Sequence, residues 1–206
     1  MRATLGLALV LFLAFGRVAW AGAPTDQLRA YGEQVMKVLD DTSTPLAQRR
    51  ESVRRIASEV FDTPEAAARA LGTHWRERTP AEREEFTRLF GAFLEQTYIS
   101  RIGEYSGEAV QYVSEQIDGD RAVVQAKIVT SRGPEVPVVG YLLHKGDRWL
   151  IYDIALANVS LVANFRSQFD HIIRTSSYEA LVRRLQMKLQ SMDDDKAGTA
   201  HAQAPR

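Results

Sequence analysis

The chain has 206 residues, no cysteine, and 26 Lys and Arg against 26 Asp and Glu. Without cysteine there is no disulfide framework, thiolate metal site or thiol nucleophile. An even charge balance gives no electrostatic basis for binding nucleic acid.

Arg2, the apolar run Leu5 to Phe15 and Ala19-Trp20-Ala21 read as an export leader over 1–21, in the order charge, short apolar stretch, small-residue cleavage site. The run falls short of the ~20 residues that span a bilayer, and no cysteine follows it to carry a lipid anchor. Removal of Arg2 and Arg17 with the leader leaves a net charge of −2. One domain over 22–191 and a disordered polar tail over 192–206 are expected.

Leu28, Tyr31, Val35 and Leu39 recur at helical spacing over 26–39. Thr42-Ser43-Thr44-Pro45 breaks that helix and starts a second, with Val53, Ile56, Ala57 and Val60 on one stripe. Phe61-Asp62-Thr63-Pro64 is another break, and a short alanine-rich helix is expected from Ala67 to Trp75. Thr79-Pro80-Ala81-Glu82 is a capping box with proline in the first turn. It opens a helix to about Gly103 whose apolar face includes Phe86, Leu89, Phe90 and Phe93.

The period then changes to two. Strands are expected over 110–113, 121–130, 136–145 and 149–155, with tight turns at Asp118-Gly119-Asp120 and Lys145-Gly146-Asp147. Leu161, Val162, Phe165 and Phe169 return to helical spacing, and Ser176-Ser177-Tyr178-Glu179 repeats the capping-box pattern before a last helix to Leu189. The layout is α+β: helices, a four-stranded antiparallel meander, then helices. The third strand is apolar on both faces, with Val136, Val138 and Leu142 on one and Val139, Tyr141 and Leu143 on the other. Either helices cover both faces or one face lines a cavity.

The chemistry-bearing residues are sparse. His74, His144, His171 and His201 have no metal-ligand spacing, and no nucleophile elbow, phosphate loop or dinucleotide fingerprint appears. No metal or cofactor is expected. Asp153, between Tyr152 and Ile154, is the best candidate base. The alternative is that it caps the following segment or pairs with Arg166.

Four stretches stand out: Thr79-Pro80-Ala81-Glu82-Arg83-Glu84-Glu85-Phe86 leading to Phe90 and Tyr98; Trp149-Leu150-Ile151-Tyr152-Asp153; Asn158-Val159-Ser160 running to Phe169; and Ile173 to Leu181. In this order and spacing the chain resembles, over about Asp26 to Leu189, the toluene-tolerance (MlaC-like) family of periplasmic phospholipid carriers. Asn158 stands where the family pattern usually has glycine, and Phe165 where it usually has tyrosine. Asparagine tolerates a left-handed turn. Some relatives belong to hopanoid-associated gene sets, so a polycyclic lipid is an alternative cargo.

The resemblance implies a helical layer on a curved four-stranded sheet, an apolar pocket between them for acyl chains, and no catalysis. It also implies a periplasmic location and lipid exchange with two partners, an inner-membrane ABC transporter bearing an MCE-domain ring and an outer-membrane lipoprotein–porin complex. The chain is expected to act as a monomer. Helix and strand faces nominate the pocket lining: Leu71 and Trp75; Phe86, Phe90, Leu94 and Tyr98 on the long helix; Val139, Tyr141 and Ile151 on the sheet; and Val159, Val162 and Phe165 beyond it. Two other readings stay open: an NTF2-like small-molecule enzyme using Asp153, and an interaction module with a closed core.

Overall fold

The computed structural model describes residues 23–100, 107–129 and 133–202, with side chains as far as Asp194. The leader expected over 1–21 lies outside the described residues. Helices α1 (Pro24–Asp40) and α2 (Leu46–Val60) form an antiparallel-sheet cover, and α3 (Thr63–Leu71) follows after two residues. The third helix starts four residues earlier than its alanine run suggests. The Asp62 side chain accepts a hydrogen bond from the Glu65 amide, and Pro64 sits in the first turn, where a missing N–H costs nothing. Gly72, at φ +60°, ends it, and a 3-10 helix carries the chain from Gly72 to Glu77.

Helix α4 (Pro80–Tyr98) opens on the expected capping box. The Thr79 amide donates to Glu82 Oε2 at 2.7 Å, and the Glu82 amide donates to Thr79 Oγ1 at 3.3 Å. The Thr79 backbone N–H, with its hydroxyl next in effect, holds the Glu82 carboxyl below its usual range. This support is therefore present above the ordinary glutamate range and lost as pH falls through the lowered value. The α-helix ends at Tyr98, before the expected Gly103, which lies outside the described residues.

The sheet has five antiparallel strands in the order β1 (Ala109–Asp118), β2 (Arg121–Val129), β3 (Val136–Lys145), β4 (Arg148–Leu156) and β5 (Val159–Ser160). Two corrections to the four-strand expectation arise. Strand β1 runs to Asp118, well past Val113, because it pairs along the whole of β2. As an edge strand it carries polar residues on its open side, which hides it from a hydrophobic-alternation reading. The short β5 returns through a two-residue turn with Ala157 at φ 49° and Asn158 at φ 65°, both left-handed, as a type I′ hairpin requires.

Register breaks shape the sheet. In β4, Tyr141 pairs with Asp153 but Leu142 pairs with Ile151, leaving Tyr152 as the extra residue of a bulge. The bulge lets Ile151 and Ile154, three residues apart, face the same side.

Helix α5 (Leu161–Thr175) and helix α6 (Tyr178–Ala202) complete the chain. The cap of α6 is Ser177, whose hydroxyl accepts from the Ala180 amide at 3.2 Å, one residue later than the Ser176–Glu179 box would place it. The backbone of α6 is helical as far as Ala202, whereas composition suggests a disordered tail from Met192. No proline interrupts this run, and Gln96 on α4 donates to Asp193 Oδ1 at 2.9 Å, tying the extension to the core helices. Among the described residues no helix is long and apolar enough to cross a membrane.

Two cores result. Helices α3 to α6 enclose Phe86, Phe90, Phe165, Phe169, Tyr178 and Leu181. The phenylalanine rings meet edge-on or stacked, with Phe90 to Phe165 at 5.4 Å and Phe90 to Phe169 at 5.6 Å. The second core, between α2 and the sheet, contains Val60, Val124, Leu142, Trp149 and Ile151. The two meet at the α2–α3 link. There Phe61 bridges to Ile151, the Asp62 amide donates to the Ile151 carbonyl at 2.8 Å, and buried Asp62 pairs with Lys145 Nζ at 2.5 Å.

Candidate functional site

Between α1, α2 and one face of β1 to β4 lies a cavity of about 320 Å³. Leu28, Tyr31, Gly32 and Val35 close it from α1, and Val53, Ile56, Ala57 and Val60 from α2. Both sets are the apolar stripes that the helical period predicts. The sheet supplies Val110, Tyr112, Val124, Ala126, Val138, Gly140, Ile151 and Ile154. Gly140 keeps the floor low, since a Cβ there would stand 3.6 Å from Leu142 and 3.8 Å from Leu28.

The polar side-chain atoms of this lining are two phenols, on Tyr31 and Tyr112. Burial pushes the Tyr112 phenol above its ordinary range, so it stays protonated and can donate a hydrogen bond. Its hydroxyl lies 3.2 Å from where a Cβ on Gly32 would be, and the Arg29 guanidinium sits 4.8 Å over its ring. A cavity with apolar walls and phenol hydroxyls suits an apolar chain carrying a polar group. Among the described residues its lining holds no acid–base pair.

Helix α1 is fixed over the cavity at its N-terminal end. Gln27 donates to the Trp149 carbonyl at 2.6 Å and accepts from the Trp149 amide at 3.0 Å, and Thr25 Oγ1 donates to Glu115 Oε2 at 2.5 Å. Over the cavity itself α1 presents Leu28 and Val35 together with the Tyr31 phenol.

The twelve nominated residues scatter. Ile151 lines the cavity, and Leu71 lines a separate cleft beside α5. Phe86, Phe90, Val162 and Phe165 are buried in the helical core, with Leu71 among them and Trp75 and Leu94 packed against it. Val139 and Tyr141 alternate with the cavity-lining Val138 and Gly140 along β3, and Tyr141 meets the Tyr152 ring at 6.3 Å. Tyr98 and Val159 are exposed. The aromatic stripe of α4 packs against α3, α5 and α6, where four helices converge. The cavity-lining residues of α1 and α2, outside the nominated set, are visible in sequence as stripes, but nothing local distinguishes a stripe over a void from a stripe over a packed core.

Asp153 has a structural role. Ser160 Oγ donates to its Oδ2 at 2.5 Å and the Val162 amide to its Oδ1 at 3.0 Å, while the Ala163 amide donates to Ser160 Oγ at 2.9 Å. The carboxylate thus caps α5 through Ser160, as the capping alternative expects, whereas Arg166 instead donates to the Arg69 carbonyl. Asp153→Ala should cost about 2 kcal/mol by leaving a hydroxyl and an amide unpaired, read from urea unfolding. An unchanged midpoint would remove the capping role. Among the described residues no cluster of three or more His, Asp or Glu could hold a metal.

Fold and cavity together define an α+β protein in which a helical layer closes an apolar cavity over an antiparallel sheet. The MlaC protein family matches residues 29–187, and the chain belongs to that family. The intermembrane phospholipid transport system binding protein MlaC of Haemophilus influenzae is 25% identical over 126 residues, 59% of this chain. The chain spans 59% of that relative's length. A solved phospholipid-binding protein from Ralstonia solanacearum, in complex with a phospholipid, superposes with a TM-score of 0.74 at 17% identity, covering 84% of this chain and 99% of the other.

Proposed function

We propose that this chain is a periplasmic lipid carrier that holds phospholipid acyl chains in the cavity under α1 and α2 and performs no chemistry on them. The observation that carries this reading is the cavity lining: apolar on both helices and all four long strands, with tyrosine phenols as its polar side-chain groups. The phospholipid in the Ralstonia structure and the transport function in the Haemophilus relative's name support the same cargo. In this reading a leader over 1–21 exports the chain. It then acts as a monomer between an inner-membrane ABC transporter with an MCE-domain ring and an outer-membrane lipoprotein–porin complex.

Transfer energetics fit a shuttle that needs docking. Each buried methylene gains ~0.8 kcal/mol relative to water, so two chains of about 16 carbons gain on the order of 20 kcal/mol. A bilayer offers nearly the same gain, which leaves carrier and membrane close to balance. Extraction is then limited by its barrier, and contact with a membrane complex lowers it. The cavity lies at the small end of the ~300–1,000 Å³ range of ligand sites. A two-chain cargo therefore requires α1 to swing further from the sheet about its Gln27 and Thr25 anchors.

Native mass spectrometry of protein purified from the periplasm, with organic extraction of what travels with it, tests the reading. A stoichiometric phospholipid adduct is expected. A hopanoid mass would change the cargo, and a bare protein mass that persists after incubation with liposomes and the partner complexes would sink the carrier reading.

A further inference from the structure

A second cavity, of about 540 Å³, lies between the end of α3, the 3-10 helix and α5, and its character is opposite to that of the first. Arg69, Arg76 and Arg166 share its wall with Thr73, His74 and Ser167. Arg166 and Ser167 come from the stretch Asn158 to Phe169. The inward side chains of that stretch, Phe165 and Phe169, are accounted for by the helical core, but its outward ones are not.

Two of the three guanidiniums are held through Nε. Arg166 donates from Nε to the Arg69 carbonyl at 2.8 Å. Arg69 donates from Nε to Glu65 Oε1 at 2.8 Å and lies over the Tyr152 ring at 4.0 Å. Gly72, in its left-handed conformation, leaves room for the Arg166 side chain, which a Cβ would meet at 3.4 Å. The Arg76 carbonyl accepts from Arg83 Nη2 at 3.2 Å, but its guanidinium makes no hydrogen bond or ion pair among the described residues, and neither do the Nη atoms of Arg166. The carboxylate in the wall, Asp170, is already engaged by His74 Nε2 at 2.9 Å and faces Arg174 Nη1 at 3.7 Å. The cleft therefore carries positive charge that its own carboxylate does not neutralise. Forked donors of this kind match the oxygen pairs of a tetrahedral oxyanion.

We propose that this cleft is an oxyanion site that takes a phosphate-class group on the Arg76 guanidinium and the Arg166 Nη atoms, beside the hydroxyl of Thr73; the Ser167 hydroxyl donates to the Ala163 carbonyl at 3.2 Å. It is separate from the apolar cavity. Tyr152, under Arg69, is outside that cavity's lining, while Ile151 before it and Ile154 two residues after it belong to it. The inference stands whatever the apolar cavity carries. The phosphate is either a free anion or a lipid headgroup at a bilayer surface, and the same variants distinguish the two.

The test is titration of the leaderless chain with inorganic phosphate, followed by amide NMR at constant ionic strength against chloride. Saturable shifts are expected at Gly72, Thr73 and Ser167. Arg76→Ala should weaken them about tenfold, the worth of one charge-assisted hydrogen bond. The Arg76 side chain anchors nothing among the described residues and the variant keeps the carbonyl that accepts from Arg83, so its thermal unfolding should match that of the parent. Arg166→Lys keeps the charge but loses the fork, and should also weaken binding. Co-sedimentation with phosphatidylglycerol vesicles that Arg76→Ala abolishes would assign a headgroup. Phosphate binding without vesicle binding would assign the free anion. Shifts equal to those from chloride, or undiminished in both variants, would overturn the site.

Discussion

Val138→Asp is expected to abolish lipid retention while the protein still folds. Val138 is partly exposed, lines the cavity from β3, and pairs through its backbone with Ala126 and Leu156. A carboxylate at this point faces a largely apolar lining, and among the described lining residues there is no cation to offset its desolvation. A penalty of about 3 kcal/mol or more corresponds to at least a hundredfold loss of affinity. The readout is moles of extracted lipid per mole of protein. Tyr141→Glu is the matched control, three residues along the same strand and outside the cavity lining. It should keep its lipid. Retention by Val138→Asp with loss by Tyr141→Glu would move the site to the other face of the sheet and restore the lining nominated from sequence.

Phe90→Ala is expected to produce the largest stability loss, about 3–5 kcal/mol. The ring is fully buried and contacts Phe86, Phe165 and Phe169 at centroid distances of 5.8, 5.4 and 5.6 Å. Four helices meet around it, so the space left cannot close by moving one of them. At this chain length the loss corresponds to a fall of roughly 10 °C in Tm. Urea unfolding gives the free energy directly. The same variant, purified below its midpoint, should retain lipid, because Phe90 lies in the helical core and outside the cavity. Loss of lipid from folded Phe90→Ala would show that the two cores act as one binding unit.

The elements were legible wherever a local rule suffices. Thr79 and Glu82 mark the start of α4 because capping is settled within four residues. Gly119 and Gly146 mark hairpin turns because a positive φ is a single-residue property. The bounds of β3, Val136 and Lys145, follow from turn residues on each side. Asn158 supplies the left-handed turn that its side chain tolerates, although Ala157 shares that conformation without any local sign of it. Asp153 was readable as a cap, but the identity of its partners, Ser160 and the Val162 amide, needed the β4–β5 hairpin to bring them within reach.

What sequence alone determined is the α+β order, the helix and turn signals, the absence of thiol chemistry, and the stripes on α1, α2 and α4 as surfaces that must be covered. Which stripe faces another helix and which faces a void was decided only in the tertiary structure. The same spacing of Phe and Leu serves a closed core on α4, and the spacing of Leu28, Tyr31 and Val35 serves a cavity on α1. Periodicity reports that a face avoids water. It does not report how far away the opposing surface stands. That distance is set by the sheet, whose β4 bulge turns Ile151 and Ile154 to one side, and by anchors such as Gln27 on Trp149, which join residues 122 positions apart.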